Sequence, residues 1–414
     1  MAALTRHYCK KWILSHLLLP GLFCLALSAG QAIAAEAPPS PSSADEFLTE
    51  IPGFSIDDLD FLARELSVTG MGSDGIPPVY RPVFVRVSDA GLSMDDREPV
   101  FVVHYPGGLT RVYPQSIMVW HEIVNDVVPD PNSAAVNYRP GGERAESPGN
   151  AYTVTYSPLT GCVTVFKSRA GRYPSTFGND GRLLNANLTM YDRTSGGIWS
   201  QLLAVCLEGP LRGKRLERYP VYWARWGGVR NRYPDAEVLS RSTGYRRNYG
   251  RDPYGSYFSE GTYYSDTQIY HQVSRLSDLL PPKTRVLGLE MESIYGALLV
   301  DAVRESKVLN QTLGIFKLTA FYDDELDRVR VFDSRLSDGT LLEFRLFENK
   351  FRDRNTNSEW NSDGECVYGR LRGTSLKPIL AVDAMWFAWY AFHPDTQVLG
   401  KGEEPKRRGP DIPY

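Results

Sequence analysis

Asp192-Arg193 stands seven residues before Trp199. The same pair recurs as Asp353-Arg354, again seven residues before a tryptophan, Trp360. Self-similarity of this kind indicates an internal repeat, and the spacing of a repeat constrains the whole architecture.

The same register continues downstream of both tryptophans. The motif Gly209-Pro-Leu-Arg-Gly213 corresponds to Gly369-Arg-Leu-Arg-Gly373, at an offset of 160 residues. Trp226 corresponds to Trp386 at the same offset. So many uncommon residue types in one register predict a tandem duplication, and therefore two halves of related structure.

Short runs of β-branched and aromatic residues, separated by glycine and proline turns, predict strands in both halves. The predicted strands are Val83–Val87, Val100–Tyr105, Leu109–Tyr113, Tyr152–Tyr156, Cys162–Phe166, Leu183–Tyr191, Val286–Leu289, Val329–Phe332 and Leu341–Phe347. Helices are predicted at Ser55–Ser67, from its capping residue and leucine spacing, and at Ile294–Val303. The expected fold class is mainly β (α+β), with two tandem related β-rich halves and a few short helices.

The first residues predict export. Arg6, Lys10 and Lys11 precede an apolar run, and Ala32-Ile33-Ala34 supplies small residues at a cleavage position. We expect cleavage near Ala34 and a periplasmic or secreted protein, with an uncleaved anchor as the alternative.

The expected organisation follows from the leader, the repeat and the changes in composition. It comprises a signal peptide at 1–34, a flexible tether at 35–54, a first β-rich repeat with an N-terminal helix at 55–243, a tyrosine-rich connecting loop at 244–284, a second β-rich repeat at 285–400 and a C-terminal tail at 401–414. Residues 128–150, rich in Pro, Asn, Gly and Ser, predict a long surface loop in the first repeat.

The charge and hydropathy of the chain limit the classes of partner that it is expected to bind. The chain has a formal net charge of −3, and it is more negative without its basic leader. This argues against nucleic-acid binding, which needs clustered positive charge. No segment after the leader approaches the length of a membrane span.

Three cysteines follow the leader, namely Cys162, Cys206 and Cys366. Cys206 and Cys366 lie 160 residues apart, so one hypothesis is a bridge between equivalent positions of the two halves. The alternative is three buried thiols that act as small hydrophobic residues.

Several motifs resemble those of an uncharacterised bacterial family, catalogued as domain of unknown function 3179. The similar stretches are Trp120–Asp126, Thr155–Gly161, Leu184–Arg193, Trp199–Leu202, Gly209–Gly213, Arg247–Tyr254 and the ending from Trp386 to Thr396. The resemblance extends from about Val83 to Leu399, and it implies no activity or cofactor. The family usually has cysteines where this chain has Ser157 and Thr160, so thiolate chemistry at that turn is not expected here.

The first half carries polar groups that the second half lacks. A hydrolase would use Ser157 as nucleophile and His121 as its base, with Glu122 or Asp126 orienting the histidine. The simpler interpretation is that Ser157 and Thr160 hydrogen-bond within their own turn, while His121 bonds a local backbone group.

A metal-assisted enzyme is a variant of this idea. His121, Glu122 and Asp126, together with His104, offer mixed oxygen and nitrogen ligands. The spacing lacks the paired histidines or cysteines of common metal sites, so structural roles are the favoured interpretation and no metal or cofactor is predicted.

The connecting loop is the other candidate. Its tyrosines, Tyr249 and Tyr254 among them, have the chemistry to hold a sugar or a peptide together with Arg246, Arg247, Arg251 and Asp252. The alternative is a tyrosine-rich seam that covers the junction of the two halves, with rings packed and hydroxyls in water.

The function expected from sequence is a non-catalytic, exported binding or scaffold protein with its site in the first repeat. Its partner would be a small molecule, a glycan or a periplasmic protein. The alternative is a hydrolytic or metal-assisted enzyme centred on His121 and Ser157.

Overall fold

A computed structural model describes residues 56–90, 94–129 and 150–401. The predicted leader and tether, most of the loop predicted at 128–150 and nearly all of the predicted tail lie outside the described residues. The predicted domain boundaries therefore stay predictions.

The helices are short and lie between strands. They are α1 Ile56–Arg64, α2 Val87–Ala90, α3 Gln115–His121, α4 Trp226–Arg232, α5 Val300–Ser306 and α6 Trp386–Phe392. The helix predicted at Ser55–Ser67 is confirmed as α1.

The strands of the first repeat include every one predicted there. They are β1 Ser67–Val68, β2 Phe84–Arg86, β3 Pro99–His104, β4 Thr110–Pro114, β5 Ile123–Val127, β6 Ala151–Ser157, β7 Cys162–Lys167, β8 Arg169–Ala170, β9 Tyr173–Pro174, β10 Phe177–Leu184, β11 Asn187–Asp192, β12 Ile198–Ser200, β13 Val205–Glu208, β14 Arg218–Tyr219, β15 Tyr222–Arg225 and β16 Glu237–Leu239. One correction is needed: the single strand predicted at Leu183–Tyr191 is two strands, because positive φ angles at Asn185 and Ala186 make a tight hairpin turn.

The second repeat follows the same plan. Its strands are β17 Arg285–Met291, β18 Ile294–Leu299, β19 Val308–Leu313, β20 Phe316–Asp323, β21 Arg328–Asp333, β22 Phe344–Phe347, β23 Lys350–Asp353, β24 Glu359–Trp360, β25 Cys366–Tyr368, β26 Lys377–Pro378, β27 Ala381–Met385 and β28 Gln397–Leu399. The helix predicted at Ile294–Val303 was wrong over its first half, where β18 pairs in register with β17. Pairing with a neighbouring strand outweighed the helix propensity of Ala and Leu.

From β3 and β17 onward the two repeats share one order of elements, apart from the additional β8–β9 pair of the first repeat. The shared part begins with a hairpin, β3–β4 or β17–β18, followed by a short helix and a three-stranded meander. A four-stranded meander comes next, β10–β13 or β22–β25. Each repeat then closes with a strand, a helix and a last strand that runs parallel to the second strand of its first hairpin. The predicted duplication is thus visible as two mainly β halves.

The repeats are joined through their sheets. β27 of the second repeat pairs with β7 of the first, at Asp383 and Val163. A second contact between the repeats involves the backbone N–H of Arg225, which donates to the carbonyl oxygen of Leu326 at 2.8 Å. Gly228 is required there, because a Cβ atom would lie 1.9 Å from the carbonyl oxygen of Glu325.

The repeated Asp and Trp have the same role in both halves. The indole Nε1–H of Trp199 donates to Asp192 at 2.8 Å, and that of Trp360 donates to Asp353 at 3.0 Å. Each aspartate also accepts backbone N–H groups of the turn that follows it. All four side chains are buried, so the shared motif fixes a turn against a core tryptophan.

The bridge hypothesised between Cys206 and Cys366 was wrong. Both thiols are free and buried, as is that of Cys162. Each of the equivalent pair packs in the core of its own four-stranded meander, because equivalent positions face equivalent cores and not each other.

Candidate functional site

Helix α3 carries His121 on its last turn, against the connecting segment between β16 and β17. His121 is fully buried. Its Nδ1 lies 2.8 Å from the carbonyl oxygen of Pro77, and its Nε2 lies 2.7 Å from the hydroxyl of Tyr249. Burial lowers the pKa of His121, and the positive charge of Arg247 lowers it further, so the ring is neutral at pH 7.

The hydrogen-bond partners of His121 determine which atom is the donor in each of its bonds. A carbonyl only accepts, so Nδ1 of the neutral ring donates to Pro77 and Nε2 accepts from Tyr249. The hydroxyl of Tyr249 also lies 2.6 Å from Oγ1 of Thr243, which accepts the backbone N–H of Tyr245 at 3.3 Å. The chain from residue 243 to 249 is therefore attached to α3 through two side chains.

The downstream end of the same segment is attached to α3 as well. Trp120 donates its indole N–H to the carbonyl oxygen of Arg251, at 3.1 Å. The Asp252 carboxylate accepts from the amide of Gln115 at 2.8 Å and from the hydroxyl of Tyr264 at 2.9 Å. It also accepts the backbone N–H of Tyr254 at 2.8 Å, and burial raises its pKa. Thus α3 holds the connecting segment at residues 243–249 and again at residues 251–252.

Between these attachments the segment presents positive charge to solvent. Residues 241–251, here called the arginine segment, contain four arginines and no acidic residue. The side chains of Arg246, Arg247 and Arg251 are exposed. Across residues 56–90, 94–129 and 150–401, no ion pair involves these three. The ring of Tyr245, 40% exposed, lies beside them with its centroid 5.4 Å from that of His121.

The structure does not hydrogen-bond the two candidate catalytic residues to each other. Both ring nitrogens of His121 have other partners, as described above. Ser157 is buried, and its Oγ accepts the backbone N–H of Leu188 at 3.3 Å. Thr160 is also buried, where it accepts from the amide of Asn187 at 3.0 Å and donates to the carbonyl of Ser157 at 3.4 Å.

The candidate metal ligands bind separate partners. Glu122 accepts from the amide of Asn179 at 2.6 Å, and burial raises its pKa to about 8. Asp126 forms a buried ion pair with Arg111 at 2.6 Å. His104 bonds the hydroxyls of Thr110 and Tyr222. In the part of the chain that the structure describes, no group of three or more His, Cys, Asp and Glu side chains is arranged to hold an ion.

Four further tyrosines of the connecting segment pack against the core, whereas Tyr270 is 50% exposed. Tyr257 and Tyr264 stack with their ring centroids 3.7 Å apart, and Tyr254 and Tyr263 pack beside them. Their cluster includes apolar residues of both repeats. The hydroxyls of Tyr257 and Tyr263 bond protein groups, which corrects the expectation that these hydroxyls stay in water. This part of the segment is a packed seam.

A family model described as "Protein of unknown function (DUF3179)" matches residues 73–140 and 145–396. The chain belongs to this family. No curated protein and no solved structure matches it. Among the described residues, none of the helices has the length and apolar character needed to cross a bilayer.

Sequence reasoning missed several parts of the site of this DUF3179 protein. Gln115, Trp120 and Thr243 attach the arginine segment, yet none of them stands in a motif with a spacing that indicates this role. Arg246 and Arg251 were named with the tyrosines as possible ligand-binding residues, and the structure exposes both. His121, Tyr249 and Asp252 were named as site residues, and the structure places them as supports beneath the surface.

Proposed function

We propose that this protein is an exported, non-catalytic binding protein whose arginine segment binds a glycan carrying carboxylate or sulfate groups. The observation that supports this most is the contrast within residues 241–251. The backbone is attached to α3 by side-chain hydrogen bonds, while Arg246, Arg247 and Arg251 project without ion-pair partners in the described chain.

The chemistry of the surface fits an anionic sugar. Guanidinium groups match carboxylate and sulfate oxygens with two parallel hydrogen bonds, and these charge-assisted bonds are stronger than neutral ones. The exposed ring of Tyr245 offers a flat apolar face of the kind that packs against a sugar ring. Because the segment is already held by α3, binding orders less of the chain and costs less entropy.

The hydrogen bonds of His121 favour binding over catalysis. A neutral His121 that donates to Pro77 and accepts from Tyr249 has no free nitrogen with which to activate Ser157. A serine nucleophile needs such a base, because its free hydroxyl is a weak nucleophile. These contacts support the non-catalytic hypothesis over the hydrolytic alternative.

Export is part of the proposal and is supported mainly by the leader sequence. Burial keeps the thiols protonated, and it raises the pKa of Cys206 to about 12. Protonated, buried thiols react slowly with oxidants, which suits an oxidising compartment.

The direct test uses the chain from residue 35 onward and a polyuronate oligosaccharide, with binding measured by calorimetry at low salt. Replacing Arg246, Arg247 and Arg251 together with alanine should weaken binding roughly 3- to 150-fold, because exposed charged contacts contribute about 0.2–1 kcal/mol each. Added salt should weaken binding by the unchanged protein, since the arginines are exposed.

The matched control removes the same charge elsewhere. Arg335, Arg370 and Lys377 are exposed residues of the second repeat, and replacing all three with alanine should leave affinity unchanged. Equal loss in both triple variants would show that net charge alone attracts the sugar and would refute the assignment to this surface. Equal affinity for an acidic peptide of similar charge would refute the choice of a glycan.

A further inference from the structure

The outer face of the β22–β25 meander exposes side chains whose counterparts in the first repeat are buried. The hairpin turn at Glu348-Asn349 corresponds to Asn185-Ala186, since both pairs have positive φ angles. This alignment equates Phe347 with Leu184, and the cysteine correspondence equates Val367 with Leu207. Phe347 and Val367 are 42% and 43% exposed, whereas both leucines are fully buried.

In the first repeat the N-terminal helix packs against β13 of this meander. Leu59 and Leu62 of α1 belong to the same apolar cluster as Leu184 and Leu207. Asp60 of α1 forms an ion pair with Arg212, which lies in the first glycine motif. The chain then continues from α1 into β1, which pairs with β10 at the edge of the meander.

The second repeat keeps the features that receive this helix. Arg372 occupies the place of Arg212 in the second glycine motif, and it is exposed. Within the described ranges it forms no ion pair. The guanidinium carbons of Arg345 and Arg352 lie 5.2 and 5.3 Å from the ring centre of Phe347. In the part of the chain that is described, β23 is the one strand that pairs with β22, and the side chain of Asn310 bonds the backbone of Phe344 on the other edge.

We propose that this face, formed by Phe347, Val367, Tyr368 and Arg372, binds an acidic amphipathic helix of a partner protein. The helix resembles α1 in its chemistry: leucines three residues apart pack on Phe347 and Val367, and an acidic side chain between them pairs with Arg372. Exposed apolar groups beside an exposed arginine without an ion pair are the features expected of a surface for such a helix, whereas Arg352 is already paired with Glu348 and Glu359.

Two other occupants fit the face less well. A second copy of this chain has no spare helix of this kind, because its own α1 already covers its first repeat. The segment 402–414 of the same chain contains three prolines within thirteen residues, which disfavours a continuous helix. A partner helix with leucines and acidic residues matches the charge of the face.

The probe for the experiment is a fluorescently labelled peptide with the sequence of residues 55–69, which carries the chemistry of α1. Polarisation should show saturable binding to the chain from residue 35 onward. Val367→Asp and Arg372→Glu should each weaken binding at least about 10-fold, as expected for central contacts of an interface. Both positions are exposed, and thermal unfolding checks that each variant is folded.

The controls alter the same residue types elsewhere in the second repeat. Ile315→Asp and Arg335→Glu change an exposed aliphatic residue and an exposed arginine outside the face, and both should leave the affinity unchanged. A peptide with Asp in place of Leu59 and Leu62 should not bind. Absence of saturable binding below about 1 mM would overturn the proposal, as would equal losses in the control variants.

Two further results would also overturn it by assigning the face to another occupant. A concentration-dependent dimer that Val367→Asp abolishes would make the occupant a second copy. Peptide binding that appears only after removal of residues 402–414 would make the occupant the chain's own end.

Discussion

Tyr249→Phe tests the attachment that presents the arginine segment. The change removes one hydroxyl and keeps the ring, so packing is preserved. In the folded protein this hydroxyl joins Nε2 of His121 at 2.7 Å and Oγ1 of Thr243 at 2.6 Å. Both partners are buried, so neither regains a hydrogen bond from bulk water.

The expected loss of stability follows from the two groups left without a partner. A buried polar group that loses its partner costs about 1–3 kcal/mol, and partial relaxation reduces the sum of two such costs. We therefore expect the free energy of unfolding to fall by roughly 2–4 kcal/mol. The matched control is Tyr245→Phe, whose ring is partly exposed and whose change should stay within about 0.5 kcal/mol.

Urea unfolding of both variants at one pH measures these differences, provided that the slope of the free energy of unfolding against urea concentration is the same for each protein. Hydrogen exchange should also show faster exchange across residues 243–251 in Tyr249→Phe, and the affinity for the polyuronate should drop severalfold. A loss of stability no larger than that of Tyr245→Phe would refute the hydrogen-bond argument. Lower stability with unchanged glycan affinity would show that the attachment does not position the arginines.

Two other predictions concern buried carboxylates. Asp192→Ala and Asp353→Ala should each lower the free energy of unfolding by about 3–5 kcal/mol in urea titrations, because each change leaves buried donors unpaired. A difference between the two losses of more than about 2 kcal/mol would contradict equivalent roles. Glu122 has a pKa raised from 4.5 to about 8 in the folded state, so stability is lost as pH rises between these values. Glu122→Gln should remove that loss, and its advantage over the unchanged protein should grow by roughly 2–3 kcal/mol between pH 6 and pH 9. The exposed control Glu217→Gln should show no such trend, and a flat profile for Glu122→Gln would contradict the buried, raised pKa.

The sequence predicted the fold well where periodicity carries the information. The strands around Tyr152 and Cys162 have β-branched and aromatic residues along their length, and the structure pairs them as a hairpin. The prediction failed at Ile294, where alanine and leucine indicated a helix but a neighbouring strand was present to pair with. Local propensity differs between these states by less than the gain from pairing and burial.

The site was predictable only in part. His121, Arg247, Tyr249 and Asp252 were named from residue type and local composition, and the structure brings His121 and Tyr249 into contact across 128 residues of chain. Gln115 was not named, because a single amide within an apolar helix carries no signal of its own. Its importance arises from the carboxylate that the connecting segment places beside it.

By itself the sequence determined that this chain is a duplication, because rare residues in one register need no coordinates to be recognised. It also determined that the halves are mainly β. Only the tertiary structure decided that His121 and Ser157 are held apart by other hydrogen bonds, that the thiols stay free, and that α1 covers one repeat while the equivalent face of the other is exposed. The reason is that register is a property of order along the chain, whereas partners and exposure depend on contacts between residues that are distant in it.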